Sequence, residues 1–259
     1  MDLSWYQYVI AIVGGAFAGM LNTLAGNGSA VTLTILTEVL LLPGNLANGT
    51  NRVGVLIQSI ASTSAFYRNG KLNLKAGWFY IIPVVIGAVG GILLANWVSN
   101  EQFRQVYRFL MLAMLLLVLT RPSRWLSKGQ EAEGQKHWYL VPVFVLLGVY
   151  GGFIQMGMGV FFLAAMVLGA QYNIIMANGI KLFVIGLYTL GALFVFWWNG
   201  LVDWRIGALL AVGQASGGWL TAHYATKYEG TEIWAYRVLV VVIILAVGKL
   251  FYPTIIGWF

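Results

Sequence analysis

Apolar runs long enough to cross a lipid bilayer recur along almost the whole chain. A transmembrane helix needs about 20 mainly apolar residues. Backbone groups in lipid must be hydrogen-bonded internally, so only helices and closed barrels span a membrane. The unbroken runs predict an all-α polytopic membrane protein with ten helical segments, at residues 5–24, 29–42, 45–66, 76–97, 103–120, 138–155, 158–169, 174–197, 204–226 and 233–252.

The composition excludes a soluble domain. Hydrophobic residues make up 60% of the 259 residues and charged residues 9%, whereas a soluble domain carries roughly 25% charged residues. The net charge of +7 does not indicate nucleic acid, because most basic residues fall in short loops, where they set membrane orientation. We therefore expect the lipid bilayer as a partner and no nucleic acid, and the sequence leaves a homo-oligomer open.

Two sets of motifs recur 130 positions apart in the same register. Residues 47–52 (ANGTNR) return as 177–181 (ANGIK), and residues 69–77 (NGKLNLKAG) return as 199–207 (NGLVDWRIG). A fixed period of this kind indicates internal repeats. The sequence thus predicts two repeats of five helical segments each, residues 1–120 and residues 138–259, joined by a polar cytoplasmic loop at 121–137.

Repeats with five segments must enter the membrane in opposite orientations, and the loop charges indicate which way. The loop at 198–205 carries only Arg205, offset by Asp203. By the positive-inside rule, the more basic loops face the cytoplasm. This predicts inverted-topology repeats, with both termini periplasmic or extracellular. The basic loops are 67–75 and 121–137, with Arg68, Lys71, Lys75, Arg121, Arg124, Lys128 and Lys136.

Glycine interrupts the chain at matching places in the two halves. Segments 29–42 and 158–169 are short, and each follows a glycine-rich stretch, 24–29 or 155–159. Such interrupted segments in corresponding positions point to a transporter's binding site at the repeat interface. We expect a broken or re-entrant helix in each half. The candidate substrate-binding residues near these breaks are Asn22, Asn27, Gly28, Ser29 and Gln155.

Each half places one cation inside a long apolar segment, Arg52 in the first and Lys181 in the second. Each lies about 10 Å deep, which in an inverted repeat puts both about 5 Å from the midplane of a 30 Å core. Buried charge is costly, so the pair favours an anion. Alternatively, Arg52 binds carbonyls freed at the breaks or reaches a headgroup, and Lys181 pairs with Glu38. The neighbouring amide candidates are Asn48, Asn51, Gln58 and Asn178.

The remaining intramembrane ionisable groups are candidates for proton coupling, namely Glu38 and His223. Nothing in the sequence indicates catalysis: the motifs HExxH and GxSxG and the nucleotide-binding loop are absent, and cysteine is missing. We expect no enzyme activity, no cofactor and no metal site. Four glycine pairs have the GxxxG spacing typical of close helix packing in lipid, Gly15/Gly19, Gly87/Gly91, Gly148/Gly152 and Gly213/Gly217.

Residues 48–58 (NGTNRVGVLIQ) resemble the ANATNR-V-LLQ signature of the TauE/SafE sulfite exporter family. Residues 178–181 (NGIK), followed by 187–189 (LYT), are similar to its second-half partner, and residues 200–204 (GLVDW) resemble its GxVDW loop. With the two-copy layout, the resemblance covers nearly the whole chain. It implies export of sulfite or an organosulfonate such as sulfoacetate across a bacterial or archaeal inner membrane.

The residues themselves indicate a secondary transporter that exports a small anion by alternating access between the two repeats. A monovalent anion leaving a cell held at about −100 mV gains roughly 2.3 kcal/mol, so export needs no further energy source. Three alternatives stay open at this stage: an anion channel, a membrane-embedded enzyme acting on a sulfur compound or lipid, and a scaffold that ignores small anions.

Overall fold

The structure is a computed structural model that describes residues 4–94, 112, 115–116, 119, 134–153, 155–228 and 230–256. All regular elements in these ranges are helical, as predicted. The helices are α1 Trp5–Leu24, α2 Gly28–Thr34, α3 Gly44–Arg68, α4 Leu74–Leu94, α5 Val141–Phe153, α6 Met158–Ala164, α7 Ile174–Trp198, α8 Trp204–Lys227 and α9 Thr231–Ile256. Among them, α1, α4 and α7 are long and apolar enough to cross a membrane. Most of the predicted segment 103–120 lies outside the described residues.

The recurring NG motif ends a helix in each half. After α3, Gly70 has φ 67°, and after α7, Gly200 has φ 68°. Only glycine adopts this left-handed conformation without strain. In both places the next amides bond back to carbonyls of the last helical turn, which is a common way for helices to end. The following helix is capped at its N-terminus, in α4 by Asn73 and in α8 by Asp203.

The two short segments have the same build. In each, a seven-residue helix continues into a five-residue π-helical stretch, Ile35–Val39 after α2 and Ala165–Gly169 after α6. Twelve residues cover about 18 Å, too little for a 30 Å core. The first segment ends three residues before the predicted boundary at 42, because Leu41 takes a left-handed conformation. Gln171 does the same after the second.

Each short segment turns back along the helix that precedes it. Gln7, in the first turns of α1, donates a hydrogen bond to the carbonyl of Val39 (3.2 Å). In the second half, Gly169 packs against Leu140, just before α5. The chain therefore enters, reverses at the glycine break, and returns to the end from which it came. Each short segment therefore folds back beside the helix that precedes it, as expected for a broken or re-entrant helix.

The glycine pairs predicted to pack do so, and their contacts give helix directions. Along α1 and α8, Gly15 lies against Leu210 and Gly19 against Gln214. The residue numbers of the contacting pairs increase together along both helices, so these helices run parallel. In α4 and α5, Gly87 meets Val145 and Gly91 meets Val149, and these helices are also parallel. In both pairs the first helix of one half packs against the fourth helix of the other.

The long central helices α3 and α7 run in opposite directions. Gly49 lies against Phe196, Ser59 against Gly186, and Phe66 against Gly179. Contacts of α3 with α8, such as Gly54 with Gln214 and Ser62 with Gly218, advance in parallel. Contacts of α4 with α7, such as Gly77 with Ile180 and Ile92 with Gly191, do likewise. Helices α1, α3 and α8 therefore share one direction, and α4, α5 and α7 share the other.

Packing of α4 on α5 gives a direct test of these backbone contacts. A side chain at Gly91 would overlap the carbonyl of Val149, whereas the space beside Gly90 is open. We expect Gly91→Leu to lower stability by about 1–3 kcal/mol, the usual cost of overpacking. The neighbouring Gly90→Leu is the matched control and should change stability little. Thermal unfolding of both purified variants measures the difference, and equal melting temperatures would contradict the packing described here.

Candidate functional site

Arg52 is fully buried and lies at the end of a helix from the other half of the chain. Its guanidinium donates hydrogen bonds to the carbonyls of Gly151 (Nη1, 3.3 Å) and Gly152 (Nη2, 3.2 Å). Both carbonyls belong to the last turn of α5, which has no helical partner for them. The cation thus lies at the negative end of the α5 dipole, an arrangement that stabilises charge by about 0.3–2 kcal/mol. Arg52 therefore binds carbonyls at the glycine break, which was one of the two alternatives to an anion, and does not reach a headgroup.

Lys181, in the second half, binds the end of a helix from the first half in the same way. Its ammonium donates to the carbonyls of Asn22 (2.8 Å) and Thr23 (3.1 Å), in the last turn of α1, and to Oδ1 of Asn178 (2.6 Å). It is also fully buried. Pairing with Glu38 does not occur, since that carboxylate is exposed and accepts a bond from Thr37. Each half therefore supplies a cation to the broken helix of the other.

The backbones of Arg52 and Lys181 lie farther apart along the helix axis than the sequence predicts. Because Ser59 lies level with Gly186 on the antiparallel pair, Lys181 lies level with residue 64 of α3. That is twelve residues beyond Arg52, about 18 Å along the axis. Both side chains reach inward, Arg52 to carbonyls beside Tyr188 and Lys181 to carbonyls beside Ser62. The charged groups therefore approach the middle of the bundle from opposite ends.

The glycine breaks of the two halves meet in this middle region. The backbone of Gly26 packs directly against the backbone of Gly159 and Val160. Gly26 also has φ 81°, so this residue must combine a left-handed conformation with a close approach. Gly28 similarly lies against the carbonyl of Ala18. This contact between the breaks brings together the ends of α1 and α5, which Lys181 and Arg52 respectively bind.

Amide side chains form a buried network beside the first break. Asn22 donates through Nδ2 to Oε1 of Gln58 (2.9 Å), and Gln58 donates through Nε2 to the carbonyl of Gly19 and to Thr23 Oγ1 (both 3.3 Å). Gln58 thus ties α3 to the end of α1, whose last carbonyls bind Lys181. Buried amides without partners are expensive, so this network fixes the geometry around the ammonium.

Two smaller sets of buried hydrogen bonds lie outside this network. Asn51 accepts hydrogen bonds from Thr32 (2.6 Å) and Gln214 (3.4 Å), and Gln155 donates to Thr189 (3.3 Å). Sequence reasoning missed several members of these networks, because isolated polar side chains in apolar helices give no periodic signal. Gln214 could have been noticed, because it is a lone amide in an apolar run. The residues missed are Thr23, Thr32, Ser62, Tyr188, Thr189 and Gln214.

Several buried polar atoms near the cations have no hydrogen-bond partner in the part of the chain that the structure describes. The possible donors among them are Arg52 Nε, Asn51 Nδ2, Asn178 Nδ2 and the hydroxyls of Ser59, Thr63 and Tyr188, and the acceptors are Asn48 Oδ1 and Gln155 Oε1. Most buried polar groups in proteins are paired, so unpaired donors next to two cations are unusual. An oxyanion bound beside the guanidinium would accept hydrogen bonds from Arg52 Nε and from the hydroxyl of Tyr188.

The other predicted site residues are divided between this region and the periphery. Asn27 and Ser29 are buried at the first break, and Asn48 is half-buried near the start of α3 with Oδ1 unpaired among the described residues. Glu38 is exposed, and His223 stacks on Trp219 (ring centroids 5.0 Å) in the last turns of α8. Neither candidate for proton coupling joins the cation networks. No three His, Asp or Glu side chains among the described residues converge as metal ligands.

Comparisons with known proteins agree with this architecture. The family described as "Sulfite exporter TauE/SafE" matches residues 11–250. A "Probable membrane transporter protein ORF9" of Sinorhizobium sp is 28% identical over 253 residues, covering 98% of this chain and 96% of the relative. A "Probable membrane transporter protein" of Haemophilus influenzae is 27% identical over 263 residues, covering 100% and 99%. The Escherichia coli K12 relative named YfcA is 28% identical over 204 residues, covering 77% and 74%. No solved structure matches the chain.

Proposed function

The chain belongs to the Sulfite exporter TauE/SafE family of membrane transporters, and from this premise we propose that it exports a small anion by alternating access. It is a transporter and not an enzyme. The transported anion in this proposal is sulfite, which the family description names, or an organosulfonate such as sulfoacetate, which has the same kind of charged group. The anion would bind where the two glycine breaks meet, between Arg52 and Lys181.

The observation that carries this proposal is the pair of fully buried cations with unpaired donors beside them. Carbonyl and amide oxygens provide partial negative charge to Arg52 and Lys181, but none of their hydrogen-bond partners is a carboxylate. Two positive charges in a low-dielectric interior lack full compensation. A sulfite or sulfonate group would provide a negative charge and several acceptor oxygens for the unpaired donors at Arg52 and Tyr188.

We further propose that residues 1–120 and 138–259 are inverted-topology repeats, joined by the loop at 121–137. The helix directions support this. First helices α1 and α5, third helices α3 and α7, and fourth helices α4 and α8 each run opposite to their counterparts. Inverted repeats place a substrate site near the membrane midplane and allow one half to rock against the other. Because Arg52 and Lys181 each bond to carbonyls of the other half, their hydrogen bonds cross the interface that moves.

The charges at the two ends of the bundle support an orientation with both termini outside the cytoplasm. Asn69 bonds Thr226 (2.6 Å), which places the loop after α3 and the end of α8 together. At the opposite end, Arg205 contacts Tyr8 at the start of α1, close to Asp203. By the positive-inside rule the first end is cytoplasmic. Its exposed basic residues are Arg68, Lys71, Lys75 and Lys227.

Single cysteines test this orientation cleanly, because the chain has none of its own. Lys71 and Asn199 are both exposed loop residues at opposite ends. In intact cells, a membrane-impermeant maleimide should label the Asn199→Cys variant and leave the Lys71→Cys variant unlabelled until the cells are opened. The reverse labelling would invert the orientation. Labelling of both from outside would contradict the inverted repeat.

Counterflow distinguishes the proposed carrier from a channel. Proteoliposomes loaded with unlabelled sulfite should take up external radiolabelled sulfite faster than empty ones. When the conformational change limits the rate, a carrier with sulfite bound changes conformation faster than an empty carrier. An anion channel gives no such trans-acceleration. Saturating uptake with trans-acceleration supports alternating access, and linear uptake without it would favour the channel.

A further inference from the structure

An apolar cavity of about 630 Å³ lies between α1, α2 and α9, outside the cation networks. Among the described residues that line this cavity, the charged one is Arg237, near the start of α9. The rest of its wall is almost entirely hydrophobic, with Phe17 and Leu21 from α1 and Val241 and Leu245 from α9. A small hydrophilic anion has no use for so much apolar surface. The lining therefore indicates an amphiphile with one negatively charged end.

The cavity has the length of one membrane leaflet. Along α9 its wall runs from Trp234 to Leu245, eleven residues or about 16 Å. Half of a 30 Å hydrocarbon core is about 15 Å. Trp234, Val241 and Leu245 are all well exposed, so the cavity opens sideways to lipid. An acyl chain of the surrounding leaflet fits these dimensions.

Arg237 lies at the headgroup end of this cavity. It is exposed and six residues from the start of α9 at Thr231, about 9 Å, a distance that a long arginine side chain can bridge toward the interface. Its guanidinium lies over the ring of Trp234 (5.4 Å), and tryptophan is enriched at membrane interfaces. Thr231 bonds the carbonyl of Ala225 (2.7 Å), so this is also the end that carries the exposed Lys227.

We propose that this cavity binds an anionic phospholipid, with its phosphate at Arg237 and one acyl chain along α1 and α9. Arginine forms bidentate hydrogen bonds with phosphate, and basic clefts between membrane helices on the cytoplasmic side recruit anionic headgroups. The inner wall includes Asn27, Ala30 and Val31 of the first break. The bound chain would therefore pack against the re-entrant segment and hold it in place. The inference does not depend on which anion is transported.

Thermal unfolding in a neutral detergent tests the headgroup. Phosphatidylglycerol, added to delipidated protein, should raise the melting temperature more than phosphatidylcholine. Arg237→Gln should weaken the apparent affinity for phosphatidylglycerol about fivefold, as expected for one basic residue at the membrane surface. The matched control Lys227→Gln removes a charge at the same end outside the cavity and should leave this affinity unchanged. Equal stabilisation by both lipids, or undiminished selectivity in Arg237→Gln, would overturn the proposal.

A second variant tests the acyl chain and keeps the charge. Val241→Trp fills the cavity wall while preserving Arg237, so it should reduce phosphatidylglycerol binding, measured by native mass spectrometry as the fraction of protein retaining one lipid. Unchanged retention would show that the chain does not occupy the cavity. Oleate provides the last comparison: if it stabilises the protein as well as phosphatidylglycerol and with the same dependence on Arg237, the ligand is a free fatty acid and the phospholipid assignment is wrong.

Discussion

Replacement of Arg52 or Lys181 by glutamine is expected to reduce sharply the stabilisation that the transported anion gives to the purified protein. Each substitution removes a buried positive charge from the region where the two breaks meet. Hydrogen bonds to charged groups contribute about 1.5–3 kcal/mol, so anion affinity should fall roughly 10- to 150-fold. Melting temperatures recorded across a titration with sulfite or sulfoacetate measure this loss, because a ligand at 100 times its Kd adds about 2.7 kcal/mol.

The same substitutions remove hydrogen bonds to helix ends, so the anion-free proteins will also be less stable. The informative quantity is therefore the shift produced by the anion, not the starting melting temperature. Arg205→Gln serves as the control, since this arginine is exposed at the end of the bundle. It should keep the full anion-dependent shift. Unchanged anion affinity in both Arg52→Gln and Lys181→Gln would refute the site, even if both variants were destabilised.

Substitution of Gly26 by alanine is expected to lower the stability of the protein by about 2–5 kcal/mol. The residue combines a left-handed φ of 81° with direct contact to the backbone of Gly159. The conformation alone costs an L-residue about 1–2 kcal/mol, and the overlap adds about 1–3 kcal/mol or more. The sum is a large part of the 5–15 kcal/mol that stabilises a typical protein. Yield of monodisperse protein and its melting temperature provide the measurement.

Gly70 separates the two contributions. Its φ of 67° is similar, but the space beside it is open, so Gly70→Ala incurs only the conformational cost. Gly159→Ala should resemble Gly26→Ala, because it introduces a methyl group at the same contact from the other side. If Gly26→Ala were no more destabilising than Gly70→Ala, the two breaks would not be in contact as described.

Much of the architecture follows from the sequence. Long apolar runs, the NG helix ends and the asparagine or aspartate caps act locally, so the bounds of α3, α4, α7 and α8 lie within a few residues of prediction. The positions of Gly19 and Gly217 in pairs four residues apart correctly indicate close packing. The two short interrupted segments were also found, since glycine-rich breaks are visible without knowledge of the fold.

The partners of the cations could not be predicted in the same way. That Arg52 binds the end of α5, and Lys181 the end of α1, depends on how the halves pack, and no local pattern encodes contacts 99 and 159 residues apart in sequence. The depth estimate counted residues from the start of each segment, whereas the register of α3 on α7 puts the two backbone positions about 18 Å apart along the axis. The cavity at Arg237 arises from the packing of three helices and likewise has no signature in the sequence.

The most direct test of the account is the current produced by anions on proteoliposomes adsorbed to a solid-supported membrane. The panel consists of sulfite, sulfoacetate, thiosulfate, taurine and simple carboxylates. We predict a saturating current selective for a sulfur oxyanion or sulfonate, lost in Arg52→Gln and Lys181→Gln and retained in Arg205→Gln. Folded protein that gives no current with any anion of the panel, or equal currents in all four proteins, would contradict the assignment of a small-anion transport site to the two buried cations.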